Sequence, residues 1–127
     1  MQAQLDLSSI VNRVGDTKLR TGDLVGALAD YEESLKINRK AADQNQGNPE
    51  ALRDISISLG RIGTLKLQKQ DFAGALAAVE ESTEIERKLV AEEPTNAQVR
   101  RDLMLDLGRL GDIELQEGNF GGGLTTS

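Results

Sequence analysis

Apolar residues along this chain recur in steps of three and four. They fall at Leu7, Val11 and Val14, again at Ile55, Leu59 and Ile62, and again at Leu103, Leu107 and Leu110. Because 3.6 residues complete a helical turn, that spacing lays one stripe along an α-helix. A second set follows the same rule: Leu24, Leu28, Tyr31 and Leu35, then Phe72, Leu76 and Val79. Between the sets stand the polar segments TGD, KQD and EGN. A glycine just past a helix end adopts the left-handed conformation cheaply, and the Asp or Asn after it caps the next helix. Gln70 departs from that pattern, so the middle turn is expected to carry some strain. In QGNPEAL, Asn48 suits an N-cap with Pro49 at the first helical position; in EPTNAQV, Thr95 and Gln98 suit a capping box. The spacing predicts five helices, near 4–21, 23–45, 49–69, 71–92 and 96–117.

The pattern is periodic on a larger scale. DLSSIVNRVGDTKL begins at Asp6, DISISLGRIGTLKL at Asp54 and DLMLDLGRLGDIEL at Asp102, a period of 48 residues. The register holds without a gap through Gly15, Gly63 and Gly111, through Asp23, Asp71 and Asn119, and through Leu28, Leu76 and Leu124. Roughly 19 of 48 positions are identical between the first two copies, too many for chance in one ungapped register. The chain divides into a first repeat near 6–53, a second near 54–101 and a partial third near 102–127. Each repeat reads as a helical hairpin. The fold expected is all-α, a superhelix of antiparallel helical hairpins.

Glycine inside a helix costs about 1 kcal/mol relative to alanine, yet Gly15, Gly63 and Gly111 recur at one phase of the first helix. Opposite them, in the second helix, come Gly26-Ala27, Gly74-Ala75 and Gly122-Gly123. A phosphate-cradling loop would need a strand before the glycines and either a Lys-Ser/Thr or a G-x-G-x-x-G spacing; neither spacing occurs. Close helix crossing explains them better, since small residues let ridges and grooves approach.

These residues resemble the core of a tetratricopeptide repeat (TPR). Val14-Gly15, Gly22-Asp23, Ala27, Tyr31 and Ser34-Leu35 stand where that family places its large-apolar-plus-Gly pair, its turn, its small residue, its aromatic and its small-Leu pair. The second copy is similar through Ile62-Gly63, Asp71, Ala75, Val79 and Ser82. The resemblance implies a right-handed stack of hairpins whose first helices line a concave groove for a peptide. The unit is 48 residues rather than the usual 34, which lengthens each helix by about two turns; long repeats of this kind occur in bacterial multidomain proteins. The family's early aromatics in the first helix are missing, as is its proline after the second, where Arg39 and Arg87 stand.

Composition narrows the function. Fifteen Lys and Arg against 21 Asp and Glu leave a net charge of −6, which disfavours a phosphate backbone as partner. Three aromatics, Tyr31, Phe72 and Phe120, are too few for a base-stacking platform. Without His or Cys there are no disulfides, no imidazole or thiolate metal sites and no His-based triad. No signal peptide or membrane-spanning run is visible, so a soluble, cytoplasmic protein without cofactor, metal or membrane partner is expected. Ser8, Ser9, Ser56, Ser58 and Ser82 have no neighbouring general base, and no enzyme is expected.

Carried over position by position, the groove implied by the resemblance is lined by Asn12, Arg13, Asp16, Leu19 and Arg20, by Gly60, Arg61, Thr64, Leu67 and Gln68, and by Gly108, Arg109, Asp112, Leu115 and Gln116. Arg13, Arg61 and Arg109 form a line of one arginine per repeat, suited to clamping a carboxylate or an acidic segment. The plainer reading, and the heavier, pairs Arg13 with Asp16 and Arg109 with Asp112 three residues on, leaving Arg61 facing Thr64. Glu32, Glu33, Glu80 and Glu81 are expected on a solvated outer face, their charge offset by Lys36, Arg39 and Lys40. The run GNFGGGLTTS forms helix poorly, so Leu103, Leu107 and Leu110 are expected to lack their cover. That implies a fragment of a longer array or chains that cover one another's ends. Two functions follow: a scaffold that holds a protein or peptide in the groove, or a structural segment that self-associates or spaces other domains.

Overall fold

The computed structural model describes residues 2–118. They form five helices, α1 (Gln2–Arg20), α2 (Leu24–Gln44), α3 (Pro49–Gln68), α4 (Phe72–Glu92) and α5 (Ala97–Glu117), with no strand among the described residues. Each expected helix is present to within a few residues at either end. Asp23 and Asp71 start α2 and α4, their carboxylates accepting the amides of Gly26 at 2.8 Å and Gly74 at 3.0 Å. Asn48 accepts from the Ala51 amide at 3.1 Å, with Pro49 in the first turn. The capping box expected at Thr95 does not form. Asn96 is the cap instead, accepting from the amides of Gln98 and Val99 at 3.0 and 3.2 Å, and asparagine is the stronger capping residue of the two.

Two turns within hairpins use the left-handed region. Gly22 sits there at φ +89° and Gln70 at φ +62°, so the strain expected at Gln70 is present, a side chain in that region costing about 1 kcal/mol.

Consecutive helices pack antiparallel, as hairpins joined side by side. In the first hairpin Ser8 meets Ser34, Gly15 meets Tyr31 and Lys18 pairs with Asp30 at 3.0 Å, the α2 number falling as the α1 number rises. The glycines sit in helices at close crossings, and a Cβ on Gly63 would stand 3.4 Å from the Ala75 carbonyl as expected, but the nearest neighbour of each is a larger side chain. A Cβ on Gly15 would lie 2.9 Å from the Tyr31 ring, and one on Gly63 would collide with the Val79 side chain. What each makes room for is therefore a side chain four residues beyond Ala27 or Ala75. At Gly26 and Gly74 a Cβ would first strike the capping carboxylates of Asp23 and Asp71, and at Gly74 it would also stand 2.9 Å from the Lys66 side chain of α3. Gly122 and Gly123 lie outside the described residues, as does Asn119.

The buried seam of the second helices also differs from the leucine stripe. In α2 it runs through Ala27, Tyr31, Ser34, Asn38 and Ala41, whereas Leu24, Leu28 and Leu35 are half-buried. In α4 the seam includes Ala75, Val79, Ser82, Glu86 and Leu89. Small and polar residues hold the centre because helices cross most closely there.

α3 lies between two hairpin partners and buries Ile55, Leu59, Ile62 and Leu65. The end helices are not so enclosed. Leu7 and Val14 are exposed on α1, and Leu107 on α5, while Leu103 and Leu110 are half-buried. Among the described residues no helix is long and apolar enough to cross a membrane.

Candidate functional site

The first helices of the three repeats lie side by side. Asp16 of α1 reaches Arg61 of α3, and Arg53 of α3 reaches Asp102 of α5, so the three run parallel along one face. Two clefts open on that face. One, about 160 Å³, is lined by Asp16, Leu19, Tyr31, Arg61, Thr64 and Arg109, together with Leu65. The other, about 240 Å³, lies between α3 and α5 and is lined by Ile57, Arg61, Glu86, Asp102, Leu105 and Arg109. Arg61 and Arg109 belong to both.

Arg61 and Arg109 are each held by a carboxylate, Arg61 where none was expected and Arg109 by one other than Asp112. Arg61 reaches Asp16 in the preceding repeat, Nε to Oδ1 at 3.5 Å, and its guanidinium lies 5.7 Å from the centroid of the Tyr31 ring. The Tyr31 hydroxyl donates to Asp16 at 2.5 Å. Burial, and then this bond to a carboxylate, push the Tyr31 phenol well above its ordinary range. Arg109 turns back to Asp106 at 2.5 Å instead of forward to Asp112. Gly60 lies beneath that pair, where a Cβ would stand 2.7 Å from Arg109 Nη1. A glycine here lets the guanidinium lie flat across α3.

Behind the arginines run two polar seams in register. At the α2–α3 seam the Ser34 hydroxyl donates to the Ser8 carbonyl at 3.2 Å and meets the Ser58 hydroxyl at 3.3 Å. At the α4–α5 seam Ser82 donates to the Ser56 carbonyl at 2.9 Å and to the buried Asp106 carboxylate, which stands where Ser58 stands one repeat earlier. Asn38 and Glu86 occupy equivalent buried positions, 0% and 3% exposed. Glu86 forms the floor of the larger cleft. Burial pushes its carboxyl up to about 9, reinforced by a hydrogen bond with Asp106 and by the charges of Asp106 and Asp102. It is therefore a neutral acid at pH 7, and its Oε1 has no hydrogen-bond partner.

Of the groove residues implied by the resemblance, the fold brings together Asp16, Leu19, Arg61, Thr64 and Arg109, with Gly60 as the floor under Arg109. The others lie elsewhere. Arg13 is exposed, makes no ion pair among the described residues and lines neither cleft. Arg20 is exposed and donates to Thr17 at 3.4 Å, and Asn12 is half-buried. Leu67 packs into the cluster of Ala75, Val79 and Ile113 rather than into a groove. Gln68, Gly108, Asp112 and Leu115 are exposed and Gln116 is half-buried, all outside the two clefts. On the outer side, Arg39 pairs bidentately with Glu81 at 2.6 and 3.0 Å instead of with Glu32 or Glu33, and this holds the Glu81 carboxyl below its usual range.

Sequence reasoning missed Glu86, Asp102 and Asp106. The signal was present: stepping from Ala27 through Tyr31 and Ser34 by fours and threes leads to residue 38, and the same steps in the next copy lead to residue 86. A comparison with known proteins returns no match, whether to family models, to curated proteins or to solved structures.

Proposed function

We propose that the chain is a TPR-type, non-enzymatic interaction scaffold that holds an acidic peptide segment of another protein along the face formed by α1, α3 and α5. The observation that carries this reading is that Arg61 and Arg109 line both clefts while each is already fixed by a carboxylate. A guanidinium held in place loses little side-chain entropy on meeting a ligand, so its remaining donors are preorganised for a carboxylate. Arg61 uses Nε for Asp16, which leaves both terminal nitrogens outside that pair. Ile57, Leu105 and Leu19 supply apolar lining for the peptide's own side chains. The −6 charge of the whole chain makes this arginine-bearing strip the distinctive place for an acidic segment. A cytoplasmic location accords with this role.

A synthetic library of eight-residue peptides, acidic and neutral, tests this by fluorescence anisotropy on the isolated protein. Acidic members bind, and Arg61→Glu with Arg109→Glu removes binding at least tenfold, whereas Arg13→Glu changes it less than twofold. Binding that survives the double reversal overturns the reading.

A second reading, self-association, draws on α1. Leu7, Ile10 and Val14 are exposed at steps of three and four, while their counterparts Ile55, Ser58 and Ile62 are buried in the α2–α3 seam. Light scattering that shows a strict monomer at all concentrations removes it.

A further inference from the structure

Position 86 differs from its counterpart in the first repeat by the property that matters most to a charged ligand. Asn38 is an amide and 0% exposed; Glu86 is a carboxyl and 3% exposed. Glu86 also lines the cleft of about 240 Å³ between α3 and α5, in the company of Arg61, Asp102 and Arg109. The floor of that cleft can therefore change its charge.

The charged groups around Glu86 come from the helices that touch α4. α5 brings Asp102 and Asp106, the second of them 0% exposed and bound to Arg109 at 2.5 Å. α3 brings Arg61 across the cleft and Arg53, which pairs with Asp102 at 3.0 Å. α2 meets α4 through Arg39, on the outer side, where Glu81 takes it. Three ion pairs frame the face: Arg53 with Asp102, Arg61 with Asp16, and Arg109 with Asp106. Each arginine is matched by one aspartate, so the frame is electrically balanced and Glu86 is the group left over. Two carboxyls that share a buried place do not both ionise freely, and here Asp106 has the guanidinium. Glu86 keeps its proton, through burial first and then through its hydrogen bond with Asp106, while the Ser56 hydroxyl pulls the other way.

We infer that Glu86 sets the charge selectivity of this cleft: protonated, it lets an acidic segment settle between Arg61 and Arg109, and ionised, it turns the segment away. The inference rests on the groove reading above and names the residue that controls it. With the proton in place, a ligand carboxylate meets the remaining donors of the two guanidiniums over a balanced frame. Loss of the proton puts an unmatched negative charge on the floor, in a part-buried site where charges are felt more strongly than in water. The ligand's own charge in turn tightens the hold of Glu86 on its proton, so binding and protonation reinforce each other. An uncharged peptide has no such coupling.

The probe is a capped octapeptide of Glu, Leu and Ser, the tightest binder at pH 7 from a library of that composition, beside a counterpart with Gln for every Glu. Fluorescence anisotropy on the full chain shows affinity for the acidic probe falling about fivefold from pH 7 to pH 10, with circular dichroism unchanged. Glu86→Gln, which places an amide where the first repeat already buries Asn38, gives one affinity at both pH values. The Gln counterpart, binding more weakly, shows no fall on the native protein. A flat profile for the native protein, a fall that persists in Glu86→Gln, or an equal fall for the Gln counterpart overturns the inference. Should the native protein lose its helices at pH 10, calorimetry at pH 8.5 in buffers of different ionisation heat decides. Binding of the acidic probe then takes up about 0.2 proton in the native protein and none in Glu86→Gln; no uptake by the native protein overturns the inference. A library with no binder at pH 7 overturns the groove reading and this inference together, whereas a binder with a flat profile overturns this one alone.

Discussion

The α2–α3 seam and the α4–α5 seam are built on the same backbone register and filled with different chemistry. In the first, Ser34 meets Ser58, Asn38 fills the buried corner, and the acid that anchors the arginine, Asp16, stays at the rim. In the second, Ser82 meets Asp106, Glu86 fills the corner, and the acid that anchors the arginine is itself 0% exposed. The first seam is polar but uncharged inside. The second holds carboxyls, one of which must keep a proton. A repeat thus conserves where polarity is buried while leaving open whether the buried group can ionise.

The sharpest way to break that contrast is to exchange the two residues at its centre. Ser58→Asp places a carboxylate in the first seam beside Asn38 while Arg61 remains engaged with Asp16. Burying a charge without a partner costs several kcal/mol, so urea denaturation followed by circular dichroism should show a loss of about 3 kcal/mol at pH 7. The converse change, Asp106→Ser, restores the first seam's chemistry to the second and relieves Glu86, and its effect stays within about 1 kcal/mol. Equal losses for both would mean that the seams are not different environments.

Next in size is the pH response. The Glu86 carboxyl titrates near its ordinary value of 4.5 when unfolded and is pushed up to about 9 in the folded protein by burial and by Asp106. Between those values the folded state holds a proton that the unfolded state has lost. The contribution is therefore fully present below about 4.5 and is lost progressively as pH rises toward 9. Thermal melts from pH 5 to 9 should fall for the native protein and flatten for Glu86→Gln. An unchanged slope in that variant would assign the response to another group.

The two hairpin turns give a smaller contrast. Gly22 and Gln70 share the left-handed region, and only Gln70 carries a side chain there. Gln70→Gly should raise the melting free energy by about 0.5–1 kcal/mol, and Gly22→Ala should lower it by a similar amount. The smallest effect belongs to the outer face. Arg39 and Glu81 are each more than a third exposed, so solvent screening limits Arg39→Ala to about 0.5 kcal/mol, shrinking further in high salt.

The fold was legible because the helix signals are local and occur more than once. The ungapped register fixed the hairpins, and Asp23, Asn48 and Asp71 announced three of the helix starts. The cleft was legible only in part. Arg61 takes Asp16 from the neighbouring repeat, forty-five residues away, and spacing along one helix face carries no information about that. Arg109 turns backward because Thr64, its translated partner, has no carboxylate while Asp106 does. Of the α2 stripe, Tyr31 lies in the buried seam and the leucines pack half-buried along its flank; apolar periodicity does not register Ser34 and Asn38, whose small or polar side chains complete that seam. Gly26 looked like a packing residue for the same reason: sequence shows that a position is small, and only the assembled helices show which neighbour requires it.

Among the described residues, the main helix contacts join helices adjacent or one apart along the chain. Cohesion therefore passes largely hand to hand from one end to the other. A pull on α5 reaches α1 by two routes: through α3, where Arg61 leans on Asp16 and Gly60 carries the weight of Arg109, and through α4 and α2, which Arg39 and Glu81 tie together. The middle helices are thus a double bridge between the two halves of the molecule.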